Sequence, residues 1–265
     1  MFYVGIRNFL KIFSISQSFN IMLGLLLGME IISGVEIKDL ALYIKADKTL
    51  IIGDLQLGYE ESLHKKGVLV PKFQFKDTIS RLQKIIKENK PDKIIINGDV
   101  KHEFGTISEQ EWREILHLID FLREKSLEIV FVKGNHDKIL EPIVKKRNVK
   151  ITPFARIRDI LIIHGHEIPE STRGVKTIII GHEHPAISLR DGSRVETFKC
   201  FLKGEWKRKN LIVQPSFNPL AEGSDVLSEK LLSPLLADSN IDNFEVFVVA
   251  DKTRYFGTVA KLRQV

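Results

Sequence analysis

The sequence lacks the features of a disulfide-stapled or membrane-spanning protein. Its 265 residues include one cysteine, Cys200, which excludes an internal disulfide framework and is typical of a reducing compartment such as the cytoplasm. The apolar run at residues 21–27 is shorter than the roughly 20 residues that a transmembrane helix needs. We therefore expect a cytoplasmic protein with no membrane partner, and we interpret Cys200 as a small buried side chain.

Charge of either sign is not in large excess. The formal net charge is +6, but residues 1–28 contribute Arg7 and Lys11 and no acid. The rest of the chain carries 38 basic and 34 acidic residues. Such a mildly basic body tolerates an anionic partner but lacks the strong excess that marks a dedicated nucleic-acid-binding protein. Charge alone therefore does not identify a substrate.

Residues 1–28 differ in composition from residues 29–265, and three interpretations are open. The segment could lie upstream of a true start at Met29, form a helix at the N-terminus, or act as a secretory signal. Polar residues interrupt its apolar stretch and no small-residue cleavage site comes after it, which disfavours a signal. We favour the start at Met29 and expect the functional domain to comprise residues 29–265.

Short runs of Ile, Val and Leu recur from residue 50 onward, and each ends abruptly in small and polar residues. Continuous runs of this kind predict strands that are buried on both faces of a sheet. Their alternation with helical patterns predicts an α/β domain with a mixed sheet. The predicted strands cover 50–52, 94–96, 129–132, 160–163, 178–180 and 211–213.

The segments between these strands predict helices and turns. Apolar residues at helical spacing predict helices over 72–90 and 109–125, the second with a capping box of Ser108 and Glu111. A shorter helix is expected over 138–147. Asp191-Gly192 and Lys203-Gly204 predict hairpin turns. The C-terminal segments 244–249 and 254–262 predict a further strand pair.

Asp, Asn and His side chains follow five of the predicted strands. Ligands of α/β sheets gather at the carboxyl ends of strands, because the strand fixes where the next side chain points. Oxygen and imidazole donors suit Mn, Fe or Zn, and a neighbouring glycine lets the backbone approach a metal closely. A single histidine is more often structural, but several beside Gly-Asp steps predict a metal site. The candidate ligands are Asp54, Asp99, Asn135, His164, His182 and His184, beside Gly53, Gly98, Gly134, Gly165 and Gly181.

The motifs that carry these residues resemble those of the calcineurin-like metallophosphoesterases. In order, the chain has Gly-Asp at 53–54, Gly-Asp-Val at 98–100, Gly-Asn-His-Asp at 134–137, His-Gly-His at 164–166 and Gly-His-x-His at 181–184. The resemblance implies a four-layer sandwich of two mixed β-sheets flanked by helices. Segments 54–60, 98–102 and 215–219 look like an archaeal branch related to the SbcD-type nucleases and ligase-associated phosphodiesterases.

The resemblance also implies two divalent metal ions bridged by Asp99. The family usually has histidine where this chain has Gln56, whose amide oxygen is a harder and weaker ligand. We therefore expect Mn, with Fe, Zn or Mg as alternatives, although Gln56 could also point away from the site. The implied ligands are Asp54, Gln56, Asp99 and His184 for one metal, and Asp99, Asn135, His164 and His182 for the other.

In the mechanism that the resemblance implies, a metal-activated hydroxide attacks phosphorus. His136 is then the general acid, and Asp137 orients its imidazole through the other ring nitrogen. His166 and His102 are each interpreted as facing the substrate or as structural. Their position two and three residues beyond a candidate ligand brings them to the same edge of the fold.

The function implied is a phosphodiesterase acting on nucleotides or nucleic acid. A phosphomonoesterase is the near alternative, and a non-catalytic, metal-binding interaction scaffold is an alternative from another class. The basic stretch 199–209, around Phe201 and Trp206, predicts either a contact with a phosphate backbone or a solvated hairpin face. The sequence predicts no oligomeric state.

Overall fold

A computed structural model of the protein describes residues 29–264, and the interpretations of residues 1–28 lie outside the described residues. The first of two sheets has seven strands that follow one another across the sheet in chain order. The first four pair antiparallel, and the fourth to seventh run parallel. They are β1 (Met29–Ile32), β2 (Val35–Lys38), β3 (Ala41–Ile44), β4 (Thr49–Gly53), β5 (Lys93–Asn97), β6 (Glu128–Val132) and β7 (Lys150–Thr152).

The second sheet has nine strands within the described range. They are β8 (Ala155–Ile157), β9 (Ile160–Ile162), β10 (Thr177–Ile180), β11 (Pro185–Asp191), β12 (Arg194–Trp206), β13 (Lys209–Val213), β14 (Ser224–Asp225), β15 (Glu245–Val249) and β16 (Thr253–Thr258). Their order is β14-β11-β12-β13-β10-β9-β8, and β15 and β16 extend from β12. Strands β9, β10 and β13 are parallel, so this sheet is also mixed.

Two long helices cover the outer face of the first sheet. Their apolar stripes, which include Leu82, Ile86, Ile115 and Ile119, are buried against strand residues such as Leu50. Shorter helices complete the loops. The helices of the described chain are α1 (Tyr59–Lys65), α2 (Gln74–Asn89), α3 (Glu109–Glu124), α4 (Glu141–Lys145), α5 (Pro234–Ala237) and α6 (Val259–Leu262). None of them is long and apolar enough to cross a membrane.

Three apolar clusters define the layers. One lies under α2 and α3, a second packs α5 and α6 against the outer face of the second sheet, and the third lies between the sheets. The middle cluster joins Ile51 and Ile95 of the first sheet to Ile179 and Ile212 of the second. These layers confirm the predicted α/β sandwich of two mixed sheets flanked by helices.

The predicted strands and long helices are confirmed, since each apolar run that predicts a strand from residue 50 onward forms a buried strand. The capping box is also formed: Ser108 accepts a hydrogen bond from the Glu111 amide, and the Glu111 carboxylate accepts from the Ser108 amide. Cys200 is fully buried, as expected. The predicted helix over 138–147 is shorter, because a 3-10 turn at Asp137–Ile139 precedes α4.

The hairpin turn predicted at Lys203-Gly204 is wrong. Both residues lie inside β12, and the chain turns instead at Lys207 and Arg208, which have φ of 47° and 61°. A Cβ at Gly204 would lie 2.3 Å from the buried Phe244 ring, so this glycine serves close packing rather than a turn. The predicted C-terminal strand is likewise shorter, since β16 ends at Thr258 and α6 follows.

Gly204→Ala should destabilise the fold by about 1–3 kcal/mol, because the added methyl group meets three atoms of the Phe244 ring in a filled core. Urea unfolding of residues 29–265 measures the loss. Glu205→Ala, at the exposed neighbouring position of β12, is the matched control and should change stability little. Equal stability of the two variants would contradict the packing role of Gly204.

Candidate metal centre

The strand ends bring the candidate ligands to one edge of the sandwich. Asp54 directly follows β4, and Asp99 follows β5 by two residues, in the parallel part of the first sheet. His164 and His182 each follow a parallel strand of the second sheet, β9 and β10, by two residues. Because parallel strands end at the same edge, both sheets direct these side chains to one place.

The backbone at these residues is strained. Asp54, Gln56, Asp99, His182 and His184 all adopt the left-handed conformation, with φ between 44° and 66°. Residues other than glycine rarely do so, because each such residue costs about 1–3 kcal/mol and persists only where the surrounding structure imposes it. Strain concentrated at five candidate ligands indicates that their directions are set by the site.

The carboxylate of Asp54 has its two oxygens in different roles. Its Oδ2 accepts a hydrogen bond of 3.1 Å from the His182 amide. Its Oδ1 is buried and lies 3.2 Å from His184 Nε2 and 3.6 Å from His164 Nδ1. The backbone contact therefore orients Asp54 so that Oδ1 faces imidazole nitrogens.

Asp99 is oriented in the same way from the neighbouring strand. Its Oδ1 accepts a 3.0 Å hydrogen bond from the His136 amide, which leaves Oδ2 facing the centre. There Oδ2 lies 3.3 Å from His164 Nε2 and 3.7 Å from His136 Nε2. Asp99 thus lies between several candidate ligands, as a bridging carboxylate must.

Asp99, His164 and His182 form a group with metal-ligand geometry. One donor atom from each lies within 4.8 Å of the other two. The Asn135 side-chain oxygen is 2.9 Å from His164 Nε2 and so belongs to the same cluster. These are the four residues expected to hold one metal, and the structure brings them together.

The charges of this cluster are coupled. Burial opposes ionisation of Asp99, yet the hydrogen bond and charge of His164 lower the pKa of Asp99 to about 2. Burial likewise opposes protonation of His164, yet Asp99 and Asp54 raise the pKa of His164 to about 9. Burial and the positive charge of His164 lower the pKa of His182 to about 4. The carboxylates of Asp54 and Asp99 therefore favour a positive charge at the point where the candidate ligand atoms converge.

Two buried polar atoms at the centre lack hydrogen-bond partners within the described chain and are suited to bind a cation. Asp54 Oδ1 and His184 Nε2 have no hydrogen-bond partner among the described residues, although both are shielded from water. Buried polar atoms without partners are rare because leaving them unpaired costs free energy. A divalent cation coordinated by both would satisfy them, so the residues present fit a metal ion.

Three of the glycines beside the candidate ligands make room for ligand side chains from neighbouring strand ends. A Cβ at Gly98 would lie 2.1 Å from His164 Nδ1, and one at Gly181 would lie 2.4 Å from Asp54 Oδ2. A Cβ at Gly134 would collide with Asp99. Ligands from one strand end therefore pack directly on the backbone of the next.

Gln56 lies beside this cluster, but its backbone rather than its side chain is fixed by the described contacts. Its amide donates to the Asp99 carbonyl, at 2.9 Å, and its carbonyl accepts from Gln74 Nε2, at 2.8 Å. Sequence reasoning missed Gln74, a fully buried residue at the start of α2, because no motif marks it. Ligation by Gln56 remains a prediction.

The expected hydrogen bond between Asp137 and the His136 ring is wrong. The His136 Nδ1 atom instead meets the carbonyl oxygen of His102. The buried Asp137 carboxylate accepts hydrogen bonds from the amides of Val100 and Gly134, at 3.0 and 2.9 Å. Asp137 therefore joins the loops that follow β5 and β6, because each of its carboxylate oxygens accepts from a backbone amide of one of these loops.

The other two histidines that the sequence analysis singled out, His102 and His166, lie at the edge of the cluster. The His102 ring lies 4.7 Å from the Tyr59 ring and 6.0 Å from the His136 ring, between centroids. The His166 ring lies 5.2 Å from His164 and 6.0 Å from His182. Both rings thus line the centre without a direct contact to the Asp54 or Asp99 carboxylates.

The basic stretch 199–209 does not form an aromatic, phosphate-binding face. Phe201 and Trp206 are buried in the core. Lys203 pairs with Glu245 at 2.6 Å. Burial, together with the charge of Arg81, lowers the pKa of Lys199 to about 7, and its ammonium donates to the carbonyls of Ser216 and Asn218.

Ser216 is a site residue whose chemistry the sequence does not reveal. Its hydroxyl donates to the Asp54 carbonyl at 2.7 Å, and the next amide, of Phe217, donates to the Gly53 carbonyl. Lys199 supports the same loop by binding the Ser216 carbonyl. The segment after β13 thereby fixes the first ligand. The Pro-Ser-Phe-Asn-Pro motif contacts Asp54 in the fold although it lies far from Asp54 along the chain.

The four-layer fold and the carboxylate–histidine centre are those of a metal-dependent phosphoric ester hydrolase. The model of the calcineurin-like phosphoesterase family matches residues 48–243, and the chain belongs to this family, which uses divalent metals. This confirms the resemblance at the level of the family. A comparison with curated proteins gives no match.

A comparison with solved structures gives matches at low sequence identity. The nuclease MPE of Pseudomonas putida aligns with a TM-score of 0.60 and 18% identity, over 83% of this chain and 94% of that one. Yfce, a phosphoesterase from E. coli, aligns with a TM-score of 0.40 and 14% identity, over 80% of this chain and 98% of that one. At 18% identity, the likeness to the nuclease shows the fold.

Asp137→Asn should destabilise the protein by about 1–3 kcal/mol and weaken Mn²⁺ binding, because the amide group turns a donor toward the Val100 or Gly134 amide. Urea unfolding and calorimetric titration with Mn²⁺ measure the two effects. Asp238→Asn, at an exposed position after α5, is the matched control. Unchanged stability in Asp137→Asn would show that these hydrogen bonds contribute little.

Proposed function

We propose that the protein is a two-metal phosphodiesterase acting on nucleotides or nucleic acid. The observation that carries the proposal is the convergence of Asp99 with His164, His182 and Asn135. Beside them, Asp54 Oδ1 and His184 Nε2 lie 3.2 Å apart, and neither has a hydrogen-bond partner among the described residues. Two groups of donors on either side of one carboxylate support two metals rather than one. The structural relative from Pseudomonas putida is a nuclease, which supports a phosphodiester substrate.

In this proposal the ligands divide into two sets that share Asp99. Divalent metals bound there would lower the pKa of a water molecule and neutralise charge on the phosphoryl oxygens. The oxygen-rich first set, with an amide in place of an imidazole, supports manganese. The proposed sets are Asp54, Gln56, Asp99 and His184, and Asp99, Asn135, His164 and His182.

His136 is the proposed acid for the leaving oxygen. Its Nδ1 faces the His102 carbonyl and donates to it, so the proton that the ring can transfer is at Nε2. Nε2 lies 3.7 Å from Asp99 Oδ2 and thus faces the centre. His102 and Asp137 then act as positioning residues, the first through the ring and the second through the loop that carries it.

The charges around the centre favour a diester over a monoester. A dianionic monoester carries one more negative charge than a diester, so a free lysine or arginine beside the metals would favour it. Two described lysines close to the centre are engaged elsewhere: Lys101 donates to the Glu103 carbonyl and Lys199 to the carbonyls of the 216–218 loop. A monoanionic diester needs no such residue.

Three finer assignments belong to the same proposal. Segments 54–60, 98–102 and 215–219 support membership of the archaeal branch related to the SbcD-type nucleases. The proposed location of the protein is the cytoplasm, because its one cysteine is free and buried, as is typical of a reducing compartment. The catalytic domain is proposed to comprise residues 29–265.

Metal-free protein supplied with Mn²⁺ should hydrolyse bis-p-nitrophenyl phosphate faster than p-nitrophenyl phosphate. Asp99→Ala should abolish both activities, because it removes the shared ligand. Release of p-nitrophenolate measures the rates, with Asp238→Ala as the control. A faster monoester reaction would indicate a phosphomonoesterase. Hydrolysis of neither substrate by the Mn²⁺-bound protein would favour the scaffold.

His136→Ala should lower kcat for the diester by about 10²–10⁴-fold and leave Mn²⁺ affinity nearly unchanged, since its ring is proposed to transfer a proton rather than to ligate a metal. Steady-state kinetics and calorimetric titration give the two quantities. His117→Ala, on the exposed side of α3, is the control. Full activity of His136→Ala would overturn the assignment of the acid.

A further inference from the structure

Phe104 is an exposed aromatic residue directly beside the proposed acid. Its side chain is 62% exposed, although large apolar side chains usually avoid water. The centroids of the Phe104 and His136 rings lie 3.5 Å apart. One part of the phenyl ring therefore covers the imidazole while much of the rest faces solvent at the mouth of the centre.

The loop that carries Phe104 is fixed on both sides. The Glu111 carboxylate, fully buried at the start of α3, accepts hydrogen bonds from the amides of His102 and Glu103 before Phe104 and of Ser108 after it. Lys65 of α1 also lies 3.8 Å from the Glu103 carboxylate. The ring is thus exposed on a loop whose backbone is held in place by hydrogen bonds on both sides of Phe104.

The position of Phe104 constrains the leaving group of the proposed reaction. A leaving oxygen that takes the proton of His136 Nε2 must lie beside that ring. The group attached to this oxygen then extends toward the mouth, where the phenyl face is in contact with the imidazole. The next rings along this wall, His102 and Tyr59, are also aromatic.

We propose that Phe104 is a specificity-determining residue that stacks on the nucleobase of the leaving nucleoside. The inference rests on the proposed phosphodiesterase function and narrows its substrate to esters whose leaving group carries a planar ring. An aromatic platform binds any base, because every base has a π face. The enzyme should therefore select for the presence of a base and only weakly for its identity.

The test compares thymidylyl-thymidine with two analogues. One analogue has a hydrogen in place of the base of the first nucleoside, and the other has a hydrogen in place of the base of the second. Stacking should give the Mn²⁺ enzyme about 10-fold higher kcat/KM when the leaving nucleoside carries its base. Phe104→Ala should remove this preference without slowing the analogue that lacks the leaving base. Tyr255→Ala, an exposed aromatic on β16, should retain it.

Two further variants separate stacking from simple shielding of His136. Phe104→Trp keeps a planar ring and should retain the preference, whereas Phe104→Leu keeps apolar cover and should lose it. Phe104→Leu with wild-type preference would overturn the proposal. So would an equal loss of rate on all three dinucleotides in Phe104→Ala, because that pattern indicates shielding.

Failure of the inference is distinguishable from failure of the proposed function. Hydrolysis of bis-p-nitrophenyl phosphate with no preference for a leaving base leaves the phosphodiesterase standing and overturns the role of Phe104. Should no diester be hydrolysed, calorimetric binding of thymidine 5′-monophosphate and deoxyribose 5-phosphate to the Mn²⁺ protein decides. A monoester can place its ester oxygen toward His136, so about 10-fold tighter binding of the nucleotide, lost in Phe104→Ala, supports stacking, and equal binding refutes it.

Discussion

The contact between Asp99 and His164 is the interaction on which the rest of the centre depends. Asp99 follows β5 of the first sheet and His164 follows β9 of the second, and their facing atoms lie 3.3 Å apart. The same relation joins Asp54 to His184. Each carboxylate of one sheet is therefore opposed by an imidazole of the other. The metal centre is the polar end of the interface whose apolar part is the core between the sheets.

This placement demands close approach and tolerates strain. Gly98 and Gly181 have no side chain because His164 and Asp54 occupy the space where a Cβ would lie. The left-handed backbone of Asp54 and Asp99 is imposed by hydrogen bonds across the strand ends, such as that from the Asp54 amide to the Gly98 carbonyl. Free energy gained in the packed core offsets the strain at the site.

The sequence predicts the parts of this arrangement that are local. Buried runs, the capping box and the ligand residues at strand ends each follow from residue type and spacing. The sequence could not show that Gly204 packs on Phe244 or that Asp137 binds the Val100 and Gly134 amides. Those contacts join residues that lie close only after folding, so a pattern of neighbours along the chain does not contain them.

Phe104 is a further residue whose role the sequence alone does not show. An apolar residue within the polar stretch 101–106 is a signal in the sequence, but it becomes informative only when the ring is seen against His136. The exposure of its side chain alone is typical of an ordinary surface residue.

The loop at Gln56 shows why a change of residue at this proposed ligand position is compatible with an intact centre. Gln74 donates to the carbonyls of Leu55 and Gln56, and the Glu60 carboxylate accepts from the amides of Phe73 and Gln74. These contacts fix the backbone of the loop without using the Gln56 side chain. The shape of the loop therefore depends on α2 rather than on which ligand stands at position 56. In the proposed ligand set, an exchange of imidazole for amide at position 56 changes one metal ligand. The placement of Asp54 and Asp99 is still fixed by the edges of the sheets.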